Sequence, residues 1–494
     1  MSNKTYSQIL KSTSIIGGAQ GINMLIAMIR VKFVSVLIGP AGYGILANFQ
    51  AILGVAKTLS GLGLNGSAVR DVAEANGKGD QEHIARVVAA LKKTCWLSGF
   101  FGALLMVALA YPLSQWSFNT HDYTLSIIAL SLVIFFGNIQ AGRMVIVQGF
   151  RRIKDLAILN ILGTFVGSII AVAFYYFMGI DGILPTLIIM AFISLLLSYY
   201  FSKKISIREI KLTWRETFTI AKPMLKMGLA MMWSGLLAAV SAYIIRLIIT
   251  RELGLEAVGI YSAAFALSGY IVNFILSAMG ADYYPRLTEV NEDHSRMCEL
   301  VDQQTEIGLL LATPFIMFGI SLAPLLIKIF YTSQFAEAAS LLQWFLLGCL
   351  GRVIIWPMGI TVLAKGKSKL FTCLQTYIHI IHLIMLLNLL PSVGLIATAI
   401  SFALLYLIHF FVIKFHVKKL ITYSWSLKLK KLILSLSISC LSLVLLHTFI
   451  INIIASISGT IISLLITIFC LKRLCNLLGA EHKVSILCSK LKIS

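Results

Sequence analysis

The stretch AILNILGTFVGSIIAVAFYYFM, residues 157–178, decides the class of fold. It contains no charged residue, and the basic segment RRIK at residues 151–154 precedes it. About 20 consecutive apolar residues in a helix are enough to cross the hydrocarbon core of a bilayer. We therefore predict a transmembrane helix at these residues.

Apolar runs of similar length recur on both sides of this stretch, from one end of the chain to the other. The 494-residue sequence is 59% hydrophobic and 12% charged, whereas soluble domains carry about 25% charged residues. The predicted fold is an all-α polytopic membrane protein with about fourteen transmembrane helices. We place the spans near residues 10–37, 42–64, 91–112, 124–149, 156–178, 182–202, 223–249, 257–281, 305–329, 338–364, 370–390, 392–414, 432–450 and 453–471.

Two sequence signals bear on processing and on metal binding. The first apolar run follows Lys4 and Lys11, as a signal peptide would, but it continues to about Leu37 and further spans come after it. We interpret it as a retained first helix. The eight cysteines form no CxxC pair, which argues against a disulfide framework or a metal site.

Basic residues are distributed unequally between the two sides of the predicted spans. With a cytoplasmic N-terminus, the inner segments hold about 32 lysines and arginines, and the outer segments hold only Arg251 and Lys328. Cytoplasmic loops of membrane proteins carry such an excess. We therefore expect both termini to be cytoplasmic. The net charge of +21 then marks the cytoplasmic face and gives no support to nucleic-acid binding.

Self-comparison of the sequence indicates an internal repeat. Arg30, Gly39, Gly44 and Arg70 recur as Arg246, Gly254, Gly259 and Arg286 at offsets of 215 or 216. IGPAGYGILANF at residues 38–49 aligns with LGLEAVGIYSAAF at residues 253–265, and GRMVIVQG at residues 142–149 aligns with GRVIIWPMG at residues 351–359. Two parallel six-helix repeats followed by a C-terminal helix pair are therefore expected, with Gly39, Gly44, Gly254 and Gly259 as structural repeat glycines.

The repeat gives the predicted domain boundaries. The N-terminal six-helix lobe covers residues 1–202, and a cytoplasmic linker covers residues 203–222. The C-terminal six-helix lobe covers residues 223–416, and two additional helices with a cytoplasmic tail cover residues 417–494. In transporters built from such repeats, substrate sites lie between the two halves near the membrane midplane.

Several segments resemble bacterial polysaccharide translocases of the Wzx type. GPAGYGILANF at residues 39–49 and the turn GLGLNGSAVRDVA at residues 61–73 are similar to the first helical hairpin of that family, and QGFRR at residues 148–152 and PRLTE at residues 285–289 are similar to further family segments. The resemblance implies the multidrug/oligosaccharidyl-lipid/polysaccharide flippase superfamily and alternating access between two lobes. The last two spans depart from the usual twelve-span form and are similar to the extra pair of lipid II flippases.

The resemblance also implies a function, a location and a set of partners. The expected function is a flippase that moves an undecaprenyl-pyrophosphate-linked oligosaccharide, such as an O-antigen repeat unit of lipopolysaccharide biosynthesis, across the bacterial inner membrane to the periplasmic leaflet. Expected partners are this lipid-linked glycan and membrane lipid, with a polysaccharide polymerase and a chain-length regulator as further candidates. No cofactor is expected.

Seven basic residues fall inside predicted spans, namely Arg30, Lys32, Lys57, Arg143, Lys226, Arg246 and Arg352. A charged side chain near the bilayer centre costs about 2.5 to 3.5 kcal/mol on insertion scales, so such residues usually line a cavity or pair with another group. The span interiors contain no aspartate or glutamate. A water-filled cavity that receives an anionic headgroup provides the missing negative charge, and arginine binds phosphate at two oxygens at once.

We predict that Arg30, Lys32, Arg143, Arg246 and Arg352 bind this headgroup in a central cavity. The repeat pairs Arg30 with Arg246 nearer the midplane and Arg143 with Arg352 nearer the cytoplasm. The alternative for each residue is snorkelling, in which the long side chain reaches the interface. Arg30 and Lys32 lie about 200° apart around the helix, so we do not expect both to face one cavity.

Amides and tyrosines within the spans suit a wet cavity of carbohydrate size. The amides are Asn48, Gln50, Asn138, Gln140, Asn273 and Gln343, and the tyrosines Tyr243, Tyr261, Tyr270, Tyr283 and Tyr284 cluster around spans seven and eight. The alternative is that these side chains form hydrogen bonds between helices or lie in interfacial belts.

The sequence lacks the signatures of the competing function classes. No GxxxxGK[ST] loop is present, which argues against an ATP-driven pump. An exporter of cationic drugs would need a carboxylate in its cavity, and a polysaccharide polymerase would need a large periplasmic loop. His379, His382 and His409 have no acid or nucleophile as a partner on their spans. We therefore predict a transporter without catalytic residues or enzymatic activity, with the exporter and the polymerase as alternatives.

Overall fold

The computed structural model of the protein describes residues 3–450 and 452–478. The secondary structure within these residues is helical, and they contain no β-strand. The helices are α1 (Asn3–Gly61), α2 (Leu64–Lys78), α3 (Gln81–Ala108), α4 (Ala110–Phe118), α5 (Thr124–Gly149), α6 (Ile153–Met178), α7 (Ile183–Lys203), α8 (Trp214–Glu289), α9 (His294–Ser321), α10 (Ala323–Phe330), α11 (Ala338–Ala364), α12 (Ser368–Val393), α13 (Ala397–Ile421), α14 (Leu427–Phe449) and α15 (Asn452–Leu478).

Ten continuous helical stretches in the described chain are long and apolar enough to cross a membrane. Four of these stretches contain a break, at Gly39, at the 3₁₀ turn Gly179–Gly182, at Gly254 and at the 3₁₀ turn Gly394–Ile396. The breaks divide the ten stretches into fourteen helical segments. The predicted all-α polytopic membrane fold with about fourteen spans is therefore confirmed.

Several helices extend beyond the predicted spans. α3 begins at Gln81 and α9 at His294, whereas hydropathy places the starts of these spans near residues 91 and 305. Asp80 and Asp293 cap the two helices by accepting hydrogen bonds from main-chain N–H groups of the first turn. Hydropathy marks only the part of a helix that is apolar, and it misses a polar end that continues into water.

The chain forms two compact units, unit 1 (Met1–Gly259) and unit 2 (Ile260–Ser494). In unit 1, α1 packs against α3, α5 and α6, and α5 packs against α3 and α7. In unit 2, α9 packs against α11, α14 and α15, and α11 packs against α13. The division between the units falls within α8. The four predicted domain boundaries and the repeat arrangement remain predictions.

Two glycines break the long helices α1 and α8 in the same way. Gly39 has φ 61° and ψ −174°, and Gly254 has φ 85° and ψ 177°. This backbone region is essentially restricted to glycine. Pro40 follows the first break and starts the next helical segment, where its missing N–H removes no hydrogen bond. The two positions that the repeat aligns thus share one conformation.

Gly44 and Gly259 allow the helical segments after these breaks to touch through their backbones. A Cβ atom on Gly44 would collide with the carbonyl oxygen of Leu255, and a Cβ on Gly259 would collide with the carbonyl oxygen of Pro40. The two contacts are reciprocal within unit 1. Small residues at a helix crossing permit this close approach in membranes, where van der Waals packing drives helix association.

The last two helices are fixed to α9 in unit 2. Arg473 of α15 forms an ion pair with Glu306 of α9, with 2.6 Å between Nη2 and Oε1. Ser321 and Ser463 form a hydrogen bond of 3.0 Å between their hydroxyl groups, and Gly459 packs against Ser321. The helix pair that has no counterpart in the repeat is therefore an integral part of this unit.

The loop between α13 and α14 is fixed to α9 by Asp302. The Tyr423 hydroxyl donates a hydrogen bond of 2.6 Å to Oδ1 of Asp302, and the main-chain N–H of Ser426 donates one of 3.2 Å to Oδ2. Burial and the adjacent carboxylate raise the pKa of the Tyr423 phenol well above its ordinary value of 10.0. The phenol therefore stays protonated and remains a donor at physiological pH.

Replacing Gly44 with alanine tests the backbone contact. We expect Gly44→Ala to lower the stability of the detergent-solubilised protein by about 1 to 3 kcal/mol, because the added methyl group overpacks the crossing. Gly54→Ala is the matched control on the same helix, since nothing lies within 4 Å of a Cβ placed there. That control gains helix propensity of about 1 kcal/mol without a clash. Equal melting temperatures for the two variants would contradict the proposed contact.

Replacing Arg473 with alanine tests the docking of α15. The variant leaves Glu306 without its counter-ion, so we expect a loss of about 1 to 3 kcal/mol, less than for a fully buried pair because both side chains are partly exposed. The double variant with Glu306→Gln removes the unpaired charge and should recover part of the loss. Thermal unfolding of the purified protein measures both effects, and a single variant as stable as the wild type would show that the pair contributes nothing.

Candidate functional site

The five cations predicted to bind substrate are all half-buried. Arg30 and Lys32 on α1, Arg143 on α5 and Arg246 on α8 belong to unit 1. Arg352 on α11 belongs to unit 2. Within unit 1 they do not share one set of neighbours, as the contacts of each residue show. Convergence on a single cavity stays a prediction.

Arg143 is held by an aromatic ring and a hydroxyl group of α7. The centre of its guanidinium lies 4.3 Å from the centroid of the Tyr199 ring, and Nη1 lies 3.3 Å from the Ser202 hydroxyl oxygen. Its Nε atom is buried and has no hydrogen-bond partner. A cation–π contact of this kind contributes about 0.5 to 2 kcal/mol. Lys92 of α3 lies close enough to interact electrostatically with Arg143, and this second positive charge increases the local potential.

A glycine precedes Arg143 and another precedes Arg352, and each packs against a neighbouring helix. A Cβ atom on Gly142 would lie 2.7 Å from the sulfur of Cys95 on α3. A Cβ on Gly351 would lie 2.9 Å from the Cβ of Tyr406 on α13. The Gly-Arg sequence therefore places a close helix contact beside each arginine, once in each unit.

Arg352 lies among soft and aromatic groups. It interacts electrostatically with the Cys349 thiol on its own helix and with the Tyr406 phenol of α13. The Tyr406 ring in turn packs against Phe402, with 4.9 Å between the centroids. The neighbours that the structure gives Arg352 are thus neutral groups.

Arg246 lies next to a network of hydrogen bonds inside unit 1. Its Nη1 atom donates a hydrogen bond of 2.9 Å to the main-chain oxygen of Ala242, and its own main-chain oxygen accepts one from Thr250. Asn48 of α1 donates to the Thr250 hydroxyl at 3.0 Å and to the main-chain oxygen of Ser117 at 2.9 Å. These contacts connect α8 to α1 and to α4.

Arg30 and Lys32 differ in surroundings, as their angular separation predicts. Arg30 lines a groove between α1 and α6 and interacts electrostatically with Tyr175. Lys32 does not line this groove, and its main-chain oxygen accepts a hydrogen bond of 2.9 Å from the Ser35 hydroxyl. The two cations on α1 therefore face different environments.

Carboxylates of the described part of the chain do not neutralise Arg30, Arg143 or Arg352. The ion pairs that the structure shows involve Asp71, Glu74, Glu82, Asp155 and Glu306, each with a basic residue other than the predicted site cations. Within residues 3–450 and 452–478, Arg30, Arg143 and Arg352 form no ion pair. Their positive charges are available to an anionic ligand.

Three of the six candidate amides serve helix packing. Asn48 and Asn138 are 2% and 5% exposed, and Asn138 donates a hydrogen bond of 2.8 Å to the Ser60 hydroxyl. Gln343 is also buried and donates to the main-chain oxygen of Ile320 at 3.2 Å. These contacts match the alternative of hydrogen bonds between helices. Gln50 and Asn273 are exposed.

Lys57 is an additional cation that the sequence reasoning counted but did not assign to the site. It is exposed and lies four residues before the end of α1 at Gly61, in a helical stretch that is long and apolar enough to cross a membrane. Gly137 of α5 faces it, and a Cβ atom there would lie 3.9 Å from the Lys57 Nζ. The signal for this residue was present in the sequence as a lysine inside an apolar run. The signal for Tyr199 and Lys92 was weak, because both stand at span ends that the sequence predicts to be cytoplasmic, where aromatic and basic residues are common.

Metal binding has no support in the part of the chain that the structure describes. No group of three or more histidine, cysteine, aspartate or glutamate side chains comes together there. The candidate site therefore consists of cations, hydroxyl groups and aromatic rings.

Comparison with known proteins gives this chain relatives in polysaccharide biosynthesis. A family of polysaccharide biosynthesis proteins matches residues 9–291, more than half of the chain. The chain is 24% identical over 391 residues to a lipid III flippase of Escherichia coli (strain K12). This alignment covers 77% of this chain and 91% of the relative. It is 23% identical over 390 residues to a putative O-antigen transporter of Shigella flexneri, with 78% and 91% covered.

Solved structures share the fold at low sequence identity. The lipid II flippase MurJ in an inward closed conformation matches with a TM-score of 0.73 and 14% identity, covering 94% of this chain and 100% of that chain. An inward-facing multidrug resistance MATE family transporter of the MOP superfamily matches with a TM-score of 0.62 and 14% identity. The match covers 81% of this chain and 95% of the transporter. The resemblance to Wzx-type translocases is confirmed. With a match over more than half of its length, this multi-pass membrane protein belongs to the family of polysaccharide biosynthesis proteins.

Proposed function

We propose that this protein is a flippase for undecaprenyl-pyrophosphate-linked oligosaccharide, an O-antigen or related polysaccharide repeat unit. It moves this lipid from the cytoplasmic to the periplasmic leaflet of a bacterial inner membrane by alternating access. The observation that carries the proposal is Arg143, a half-buried cation of a predicted span that, among the described residues, is held by the Tyr199 ring and the Ser202 hydroxyl and by no carboxylate. The names of the relatives, a lipid III flippase and a putative O-antigen transporter, support the same substrate class.

Each predicted cation has a place in this proposal. Arg143 and Arg352 bind the pyrophosphate when it enters from the cytoplasm. Arg143 contacts Ser202, which lies beside Lys203 at the basic end of α7. Basic span ends are typical of the cytoplasmic side, which supports binding by Arg143 at the cytoplasmic entrance. Arg246 and one of the two cations of α1, Arg30 or Lys32, hold the headgroup nearer the midplane. Guanidinium groups suit this task, because each can donate two parallel hydrogen bonds to phosphate oxygens.

The membrane potential provides a driving force for this movement. One elementary charge gains about 2.3 kcal/mol in crossing a potential of 100 mV. A pyrophosphate with about two negative charges therefore gains roughly 4 to 5 kcal/mol in moving outward across an inside-negative membrane. This energy favours export without nucleotide hydrolysis.

An exporter of cationic drugs is the second candidate in the same superfamily, since a multidrug transporter shares the fold. A cationic drug would need negatively charged side chains in the cavity that binds it. Here Arg30, Arg143 and Arg352 form no ion pair with a described carboxylate, so their charge remains positive. The sign of the charge therefore favours an anionic substrate. A polysaccharide polymerase is the enzymatic alternative, and it differs in making a glycosidic bond.

The proposal includes an orientation and a set of partners. Both termini lie in the cytoplasm, as the excess of basic residues in the inner segments indicates. The lipid-linked glycan is the substrate, and the periplasmic product is available to a polysaccharide polymerase and a chain-length regulator. The protein itself acts as a transporter and forms or breaks no covalent bond.

Replacing the site arginines tests the proposal. Arg143→Ala, Arg246→Ala and Arg352→Ala should each reduce transport about 10- to 100-fold, since a hydrogen bond to a charged group contributes about 1.5 to 3 kcal/mol. Arg143→Lys should retain part of the activity, because it keeps the charge and loses the planar stacking on Tyr199. The measurement is the amount of surface polysaccharide and of undecaprenyl-linked intermediates in a chromosomal deletion strain that expresses each variant.

Lys78→Ala is the control for charge removal, since Lys78 is a surface residue paired with Glu74 and its side chain is 61% exposed. It should complement the deletion fully. Membrane levels of all variants are compared by immunoblotting. Full activity of both Arg246→Ala and Arg352→Ala would show that these residues do not bind substrate. Normal surface glycan without accumulated intermediates in the deletion strain would contradict the flippase function itself.

A further inference from the structure

A groove of about 470 Å³ runs between α1 and α6 in unit 1. Its α1 wall contains Ile29 and Phe33, and its α6 wall contains Phe165, Ile169 and Tyr176. On each helix these positions lie four or seven residues apart, so each helix presents one continuous stripe to the groove. Small residues of α6, among them Ser168 and Ala173, line it between the bulky side chains and leave room for a chain-like ligand.

Arg30 is the charged residue of this groove. Its guanidinium forms no ion pair and no hydrogen bond with any residue of the described chain, and its electrostatic interaction with Tyr175 involves a neutral phenol. An intramembrane arginine is costly unless it has a partner or reaches water. A groove that combines an apolar wall with one such cation is complementary to an amphiphile with an aliphatic chain and an anionic end.

The depth of Arg30 restricts which amphiphile this is. Arg30 lies nine residues before the break at Gly39, about 13 Å along the helix axis, and half of the hydrocarbon core measures about 15 Å. If the break marks the membrane edge, Arg30 lies close to the midplane. A resident phospholipid keeps its phosphate at the edge of the core. A phosphate meets Arg30 at this depth only when it is being carried across the bilayer.

We infer that the α1–α6 groove binds the isoprenoid chain of the transported lipid while Arg30 binds the adjacent pyrophosphate. This inference rests on the proposed flippase function and adds a second subsite to it. The polyprenyl chain stays in contact with the hydrocarbon core throughout, since the groove opens to the membrane through exposed side chains such as Ile169 and Tyr176, which are 55% and 70% exposed. Chain recognition is thereby separated from recognition of the sugar.

Binding of two sugar-free lipids in nanodiscs tests the inference. Undecaprenyl pyrophosphate and farnesyl pyrophosphate carry the same charged end, and only the first has a long chain. We expect the wild type to bind the long lipid more tightly. Ala173→Trp fills the groove and should weaken binding of undecaprenyl pyrophosphate roughly tenfold, the loss expected when about two CH₂ groups are displaced. Binding of farnesyl pyrophosphate by this variant should weaken less, because its shorter chain fills less of the groove.

Ile158→Trp is the matched control, because Ile158 is an exposed residue of α6 outside the groove, 46% exposed. It should bind both lipids as the wild type does. In a second measurement that keeps Ala173, Ile169→p-benzoylphenylalanine in the wall of the groove should form a photo-adduct with undecaprenyl pyrophosphate. This readout is available even when Ala173→Trp does not fold.

The outcomes separate the groove from the flippase function. Unchanged binding of both lipids by Ala173→Trp, equal loss of both by a folded variant, or no photo-adduct at Ile169 would overturn the groove assignment and leave the flippase proposal in place. Displacement of undecaprenyl pyrophosphate from Ile169 by an equal amount of phosphatidylglycerol would identify an ordinary bilayer lipid site and also overturn it. A wild type that binds neither pyrophosphate would contradict the flippase proposal itself.

Discussion

The hydrocarbon core of a bilayer offers a peptide group no hydrogen-bond partner, so each segment that crosses it must satisfy its own backbone. The fourteen helical segments in the described part of the chain meet the requirement, and they are interrupted at glycine positions and short 3₁₀ turns. Gly39 and Gly254 supply a conformation that other residues rarely adopt. Once the helices are broken there, Gly44 and Gly259 permit backbone contact, so local glycine chemistry determines how α1 and α8 cross.

In the same hydrocarbon medium an unpaired charged side chain is costly, so its presence indicates a function. Placing one arginine near the bilayer centre costs about 2.5 to 3.5 kcal/mol, whereas a cation–π contact such as that of Arg143 with Tyr199 contributes about 0.5 to 2 kcal/mol. The hydroxyl of Ser202 accepts one hydrogen bond from the charged guanidinium at 3.3 Å. The Nε atom of Arg143 is buried without a hydrogen-bond partner among the described residues, so the observed contacts leave part of the guanidinium unsatisfied. Arg473 shows the contrasting case, since its Nη2 and Nε atoms lie 2.6 and 2.7 Å from Oε1 of the Glu306 carboxylate.

Local sequence was sufficient for the spans and insufficient for the site. Hydropathy is a property of a single segment, so it located α5 and α6 to within a few residues, and it failed only at the polar ends of helices such as α3. The partners of Arg143 could not be predicted from a single segment, because Ser202 lies 59 residues away in the chain and only the fold brings the two together. Residue type was also ambiguous for amides. Asn48 and Asn138 fit a sugar-binding cavity by chemistry, yet both are buried between helices, and only packing distinguishes the two roles.

The repeat in the sequence aligns Gly142 and Arg143 with Gly351 and Arg352, a correspondence that no single segment reveals. Gly142 packs on Cys95 of α3, and Gly351 packs on Tyr406 of α13, so in each unit a glycine holds its helix against a neighbour. The next residue points about 100° around the helix. The backbone depth of Arg143 and Arg352 is therefore determined by close helix packing. An arginine that served only as an interfacial anchor would need no such fixed backbone, because its flexible side chain could reach the interface from several depths. The pairing of a packed glycine with a cation in both units supports the proposal that Arg143 and Arg352 bind a ligand.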